Sequence, residues 1–600
     1  MTTSKVPPRS EIAAQFTWNG PSVFESVAAW EAEYNAILAA LPGVVAHKNR
    51  ISDGPDALAA ALKDIEDVQQ RAFIVYVYAG MSYYVDTTDQ EAAGRLGKAQ
   101  GLFGQVFAAV SYLDPALIEF GEELVRDWVK SHERLQVYAH YVDNLFRQQA
   151  HVRSAEVEEI MGMLAEPFGS VGTTANMLTD SDFKFPPAQT TGGGERDLTQ
   201  GTIDAILHGP DRTARRTAWE GYADQYLAYK NTLANNLLTS VKQNVFTQRV
   251  RHHASTLDMA LFAQNIPPQV FHNLLDIFQK NLPTWHKYWR VRRRALGVET
   301  LHPYDIWAPI ARPPVVPYEQ AVEWICAGLE PLGAEYVEVM RRGCVQDRWV
   351  DVYPNVGKTA GAFSSGTYGT SPFILMSYTD DISSVSTLAH ELGHSMHSYL
   401  AWQTQPFVYS DYSLFAAEVA SNFHQAMVRA YLLDQSDDPA FQIAVIEEAM
   451  DNFHRYFFIM PTLARFELEV HRRVEAGDAI SPDGMNALMA DLFEEAYGGE
   501  MHVDRERVGI TWAQFGHLYV DYYVYQYATG ISGANASARR ILDGVPGAVE
   551  GHLNFLKAGG SLYAVDAIKL AGVDLSTPEP VETAFGVLTS LVDRLDELTR

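Results

Sequence analysis

Histidines at positions 390 and 394, with a glutamate at 391, stand in the stretch STLAHELGHSMHSYL of residues 386–400. On a helix, residues four apart lie on one face, about 6 Å apart along the axis. Two imidazoles so placed can meet on one cation, and zinc takes histidine nitrogens at about 2.0–2.1 Å. Glu391 beside them is positioned to take a proton from an attacking water, the arrangement of a metal-assisted hydrolase. At 100° per residue, Val385, Leu388, Met396 and Tyr399 fall within about 40° of Leu392 and form a core face. His390 and His394 project from the opposite side. His397 shares that side, but lies too close after His394 to close a tetrahedral set, so it is expected beside the site, facing substrate.

The third ligand is sought downstream. Residues 412–433, YSLFAAEVASNFHQAMVRAYLL, have helical spacing with Glu418 between Ala417 and Val419. A carboxylate in so apolar a run is costly to bury without a partner, and a cation supplies one. Asp411, the rival acid, sits among turn-forming residues and reads as a helix cap. Two histidines, one carboxylate and an open position make a catalytic centre, and this donor set suits one Zn2+ per chain. A metzincin would need Gly at 397 and His at 400. This chain has His397 and Leu400, which excludes that branch.

The elements that must position these groups are mostly helices. Apolar residues recur at three- and four-residue spacing over 23–41, 55–80, 87–111, 115–147 and 153–165, and again over 203–298 and 317–342. Residues 173–200 change texture, and their Thr, Asp, Pro and Gly predict a hairpin with a turn at Thr190–Gly194. A lobe boundary is placed there, giving an N-terminal helical lobe over 1–200 and a catalytic domain over 201–600. Residues 350–380 mix glycine, serine and β-formers, with FILMSY (373–378) as a strand. The fold class is mainly α, with a small β-sheet next to the histidine helix.

Composition bounds the remaining choices. Six hundred residues exceed what one small core organises, and two cysteines, Cys326 and Cys344, cannot form a disulfide framework. The start, MTTSKVPPRSEIAAQF, has no apolar signal core, and no run of about 18 apolar residues is expected to span a membrane. A net charge of −28 opposes nucleic acid as a partner. These features predict a cytoplasmic chain.

Four segments in order, GAFSSGTYGTSPFILMSY, HELGHSMHSYL, DYSLFAAEVASNF and FGHLYVDYYVYQYATG, across residues 361–530, resemble oligoendopeptidase F, of the thimet oligopeptidase and neurolysin family. The resemblance implies two helical lobes enclosing a deep substrate channel, one zinc, and hydrolysis of short unstructured peptides. By position it implies His390, His394 and Glu418 as ligands and Glu391 as general base. It also points to His517 as a donor to the oxyanion of amide hydrolysis, with a tyrosine from the same segment. Tyr525 is favoured, then Tyr519 and Tyr522; Tyr523 and Tyr527 complete the set. The glycine-rich strand implies a main-chain grip on substrate around Gly361, Ala362 and Phe363. An exopeptidase would need a charged group for a peptide terminus, and no Arg or Lys beside the motifs demands that role. A silent peptide binder would have no use for Glu391.

Overall fold

The computed structural model describes residues 6–600. Its chain divides into two compact units, each assembled from three stretches. The first holds residues 1–150, 315–432 and 540–573; the second holds 151–314, 433–539 and 574–600. The boundary expected near residue 200 falls inside the second unit, which opens at His151.

The first unit begins with three long helices, α1 (Val27–Ala46), α2 (Pro55–Tyr84) and α3 (Gln90–Val110). Ser26 caps α1 by accepting from the Ala29 amide, and Asp89 caps α3 through the amides of Glu91 and Ala92. Trp30, Ile37, Leu62, Val75, Leu102 and Val106 form their shared core. Residues Gln90–Phe120 correct one expectation. This helical stretch, with mean hydropathy 1.3 over its most apolar window, is by length and composition apolar enough to cross a membrane. Small residues set that value, and Leu96, Ala99, Leu102 and Val106 are buried in the unit's core.

The same unit carries a three-stranded sheet. β1 (Val350–Asp351) runs parallel to β3 (Phe373–Leu375), and β2 (Phe363–Ser365) pairs antiparallel with the other side of β3. The order β1–β3–β2 leaves β2 at an edge, and β3 in the middle is fully buried. Backbone hydrogen bonds tie this region to the end of α2: Thr87 N–H donates to Gly357 O at 2.8 Å, and Thr359 N–H to Tyr84 O at 2.9 Å. Those bonds are one reason the first stretch shares a unit with residues far along the chain.

Asp351 anchors the sheet from inside. Its side chain is wholly buried and accepts from Arg9 at 2.7 and 2.5 Å, with the Lys358 ammonium at 2.8 Å. Removing the carboxylate strands a buried lysine and a half-buried arginine. Asp351→Ala should therefore cost about 3–5 kcal/mol, read as a lowered unfolding temperature and denaturant midpoint.

After the sheet come α4 (Ile382–Thr404) and α5 (Leu414–Gln435). The Asp381 carboxylate starts α4 by accepting from the Ser384 amide at 2.7 Å. The small sheet beside the histidine helix and the mainly helical class agree with the sequence reading.

The second unit is likewise helical, with Lys230–Val250, Leu282–Ala295, Pro439–His454 and Met460–Ala476 among its longer members. Its hairpin pairs Ala188–Gln189 with Glu195–Arg196 around the expected Thr190–Gly194 turn. A π-helical turn, Arg455–Ile459, joins two of these helices. Trp285, Trp289, His454, Phe458 and Tyr497 stack or meet edge-on beneath it.

Candidate metal centre

The predicted core face of α4 is buried at Val385, Leu388, Leu392 and Met396, but Glu391, Gly393, Ser395 and His397 are buried too. Neighbours enclose the helix almost all round, leaving His390 and His394 only half-buried. Their rings stand nearly perpendicular, with centroids 4.8 Å apart. Glu418 reaches them from α5, with Oε2 3.9 Å from His390 Nε2. One donor atom from each of the three lies within 4.8 Å of the others.

Gly393 makes that approach possible. A Cβ at this position would sit 2.6 Å from both the Ala420 carbonyl oxygen and the Ser421 Cα. The bare backbone lets α5 lie directly on α4, just past Glu418.

The polar groups are costly as they stand. Glu418 is 7% exposed, and burial pushes its carboxyl above the ordinary range against the opposing pull of His390. Burial raises Glu391 to about 7, with His390 lowering it, Glu418 raising it and the Ser364 backbone amide lowering it. Glu391 Oε2 is buried without a hydrogen-bond partner. Two imidazoles and a buried carboxylate converging beside that oxygen fit a divalent cation with nitrogen and oxygen preference, as zinc has.

A feature missed by the sequence reading fixes His390. Its Nδ1 meets Gln425 Oε1 at 3.1 Å, Gln425 Nε2 donates to Ser386 Oγ at 2.7 Å, and Arg429 Nη2 donates to the same hydroxyl at 3.2 Å. An Nδ1–H donated to the amide oxygen leaves Nε2 free to bind metal. Glu418, Asn422, Gln425 and Arg429 follow one another at three- and four-residue spacing, a polar stripe that the sequence displays within an apolar helix. Gln425→Leu should weaken metal binding roughly 10- to 100-fold, whereas Gln425→Glu, which keeps the acceptor, should retain it. Titration against a competing chelator measures both.

His397 corrects the expectation that it faces substrate. It is 1% exposed, stacked on Tyr412 at 3.6 Å and beside Phe555 at 5.2 Å. Burial pushes its pKa down to about 3, so it is a neutral core residue. Asp411 accepts from the Tyr412 amide, while Ser413 Oγ faces the Ala416 amide in the first turn of α5.

Of the expected gripping strand, Phe363 lies in β2, while Gly361 and Ala362 precede it, with Gly361 at φ 91°. Ser364 Oγ bonds Ser395 Oγ at 2.8 Å, fastening this edge strand to α4.

His517 lies in the second unit. Its ring stacks on Tyr523 at 5.8 Å and meets Tyr527 edge-on at 5.7 Å, and the Tyr527 hydroxyl donates to that of Tyr523 at 3.0 Å. Burial, with the Arg455 charge second, lowers the His517 pKa. The three favoured tyrosines lie elsewhere. Tyr525 and Tyr522 are buried against Phe271. Tyr522 also bonds the Thr256 hydroxyl and is held at φ 46° by the Glu467 carboxylate on its amide. Tyr519 accepts from Asn236 at 3.0 Å. Tyr523 lies just before the helix Tyr525–Leu542 and Tyr527 in its first turn, their hydroxyls bonded to each other beside His517, whereas Tyr525 packs on Phe271.

The family model of peptidase family M3 matches residues 205–587, and one described as oligopeptidase F matches residues 117–185. Oligopeptidase PepF of Bacillus subtilis is 35% identical over 597 residues, covering 99% of this chain and 89% of the relative. Group B oligopeptidase PepB of Streptococcus agalactiae is 32% identical, covering 98% of each. The crystal structure of oligoendopeptidase-F from Enterococcus faecium superposes with a TM-score of 0.73 at 29% identity, covering 95% of this chain and 98% of that one.

Proposed function

Because the chain belongs to peptidase family M3 and is on that ground a metallopeptidase, we propose that it is a zinc-dependent endopeptidase cutting internal bonds of short, unstructured peptides. The observation that carries this reading is the convergence of His390, His394 and Glu418 beside the unpartnered carboxylate oxygen of Glu391.

His390, His394 and Glu418 would hold the ion. When bound, zinc polarises the scissile carbonyl and makes a water acidic enough to attack at neutral pH. Glu391 takes the proton of that water and passes it to the leaving amine. The edge of β2 suits a peptide main chain adding as a further strand, which reads backbone more than side chains and so favours broad specificity. Gly361 and Ala362 lead into that strand, which Phe363 begins, and set the chain's path there. The relatives named above are oligopeptidases by name, in keeping with peptide substrates. A reducing, cytoplasmic setting suits Cys326 and Cys344, two buried free thiols.

His517 takes the role of oxyanion donor, and its hydroxyl partner is assigned to the Tyr523–Tyr527 pair rather than to Tyr525, Tyr519 or Tyr522. Tyr523→Phe should lower kcat by roughly 10²-fold with little change in KM. Tyr525→Phe should leave kcat within a few-fold, and the reverse order in steady-state kinetics would return the role to Tyr525.

The reading is tested on internally quenched peptides blocked at both ends, with zinc content measured on the same preparation. Cleavage of blocked peptides, abolished by chelation and restored by Zn2+, is the expected result. Cleavage only of peptides with a free terminus would make the protein an exopeptidase.

A further inference from the structure

The π-helical turn Arg455–Ile459 interrupts what would otherwise be one long helix. Such widened turns shift the faces of the helices they join and recur at functional sites. Here His454, Phe457 and Phe458 point into the core, while Arg455 is exposed and Tyr456 half-exposed. The Arg455 guanidinium lies 5.9 Å from the centroid of the Tyr456 ring. Tyr456 stacks on Tyr527 at 5.1 Å and 22°, and Tyr527 in turn meets His517 and Tyr523. One continuous wall of rings thus starts at His517 and ends at a cation.

That cation has no carboxylate partner among the described residues. Other arginines of the unit are paired, among them Arg465 with Glu495 at 2.8 Å, Arg473 with Glu469 at 2.8 Å, and Arg507 with Asp224 at 2.8 Å. Arg196, Arg216 and Arg312 of the same unit are likewise exposed and without an ion pair among the described residues; Arg455 differs from them in ending a run of rings that begins at His517. Its field reaches His517, whose protonation it disfavours. Planar guanidinium donors match a carboxylate two-pronged, and the adjoining ring restrains the arginine in place.

We propose that Arg455 is a specificity-determining residue that receives a carboxylate of the bound peptide, either its C-terminal group or an Asp or Glu side chain. The proposal rests on the peptidase reading. It gives the enzyme a charged anchor that the motifs alone lack, and it predicts a preference for one carboxylate-bearing peptide over its neutral counterpart.

The test compares short internally quenched peptides in matched pairs: free acid against C-terminal amide, and Glu against Gln at successive positions. The wild-type protein should favour one carboxylate-bearing member by about tenfold in kcat/KM, as a charge-assisted hydrogen bond provides. The pair that shows the preference identifies the source of the carboxylate. Arg455→Gln should bring that ratio close to one, and Arg455→Lys should keep part of it. Dissociation constants of the same pairs on full-length Glu391→Gln protein, with and without Arg455→Gln, give a readout independent of turnover. A wild-type ratio of one, or a ratio that survives Arg455→Gln, overturns the proposal. Failure to hydrolyse any peptide would undo the peptidase reading instead, and the binding pairs would still decide Arg455.

Discussion

Glu391→Gln should bind zinc as the wild-type protein does and lose roughly 10²- to 10⁴-fold in kcat, the span attributed to a positioned general base. The amide keeps the shape of the side chain in its buried place against Ser364 but cannot accept a proton at neutral pH. Burial holds the metal-free carboxyl at about 7, and a cation beside it favours the ionised form and draws that value down. The base works only when ionised, so kcat/KM should fall on the acid side, with the limb below pH 7 in the loaded enzyme and absent from the residual activity of Glu391→Gln. Metal content by elemental analysis and a pH–rate profile check both halves. Turnover unchanged by the substitution would remove Glu391 from the chemistry.

Gly393→Ala is the second large effect, and its sign opposes helix propensity. In an exposed helix interior, alanine in place of glycine adds up to about 1 kcal/mol of stability. Here the new methyl would meet backbone atoms of Ala420 and Ser421 at 2.6 Å, and backbone cannot rotate aside. The two helices must separate, costing about 1–3 kcal/mol as other overpacked cores do. Glu418, two residues before Ala420, moves away with α5. Zinc affinity should fall by at least about tenfold, measured by chelator competition, alongside a lower unfolding temperature. An alanine variant that binds zinc normally would show that the contact does not set the ligand spacing.

What the sequence disclosed follows from which interactions are local. His390 and His394 were legible because helical periodicity alone places them together. Glu418 was legible because an acid inside LFAAEVA has no cheap explanation. His397 was misjudged because a helical wheel knows only its own helix, and cannot tell solvent from Tyr412 and Phe555 packed on the same side. Gln425 was overlooked although its stripe with Glu418 and Arg429 was visible, because its partner Ser386 lies on another helix. The tyrosines of 519–527 could not be sorted by type, since the backbone turn at Tyr522 decides which rings flank His517. The hairpin near 190 was read correctly from its turn residues, yet the chain's division into units depends on bonds such as Thr359 to Tyr84, which leave no local trace.

That division bears on how the protein is made. The first unit needs residues 540–573, and the helix Ala548–Lys557 from that stretch packs on α4. A chain leaving the ribosome at about 5–20 residues per second therefore exposes both histidines and Glu418 well before the unit that shelters them can close. In that interval the nascent ligands are open to whichever divalent ion the surroundings supply, and their burial waits until residues 540–573 have emerged.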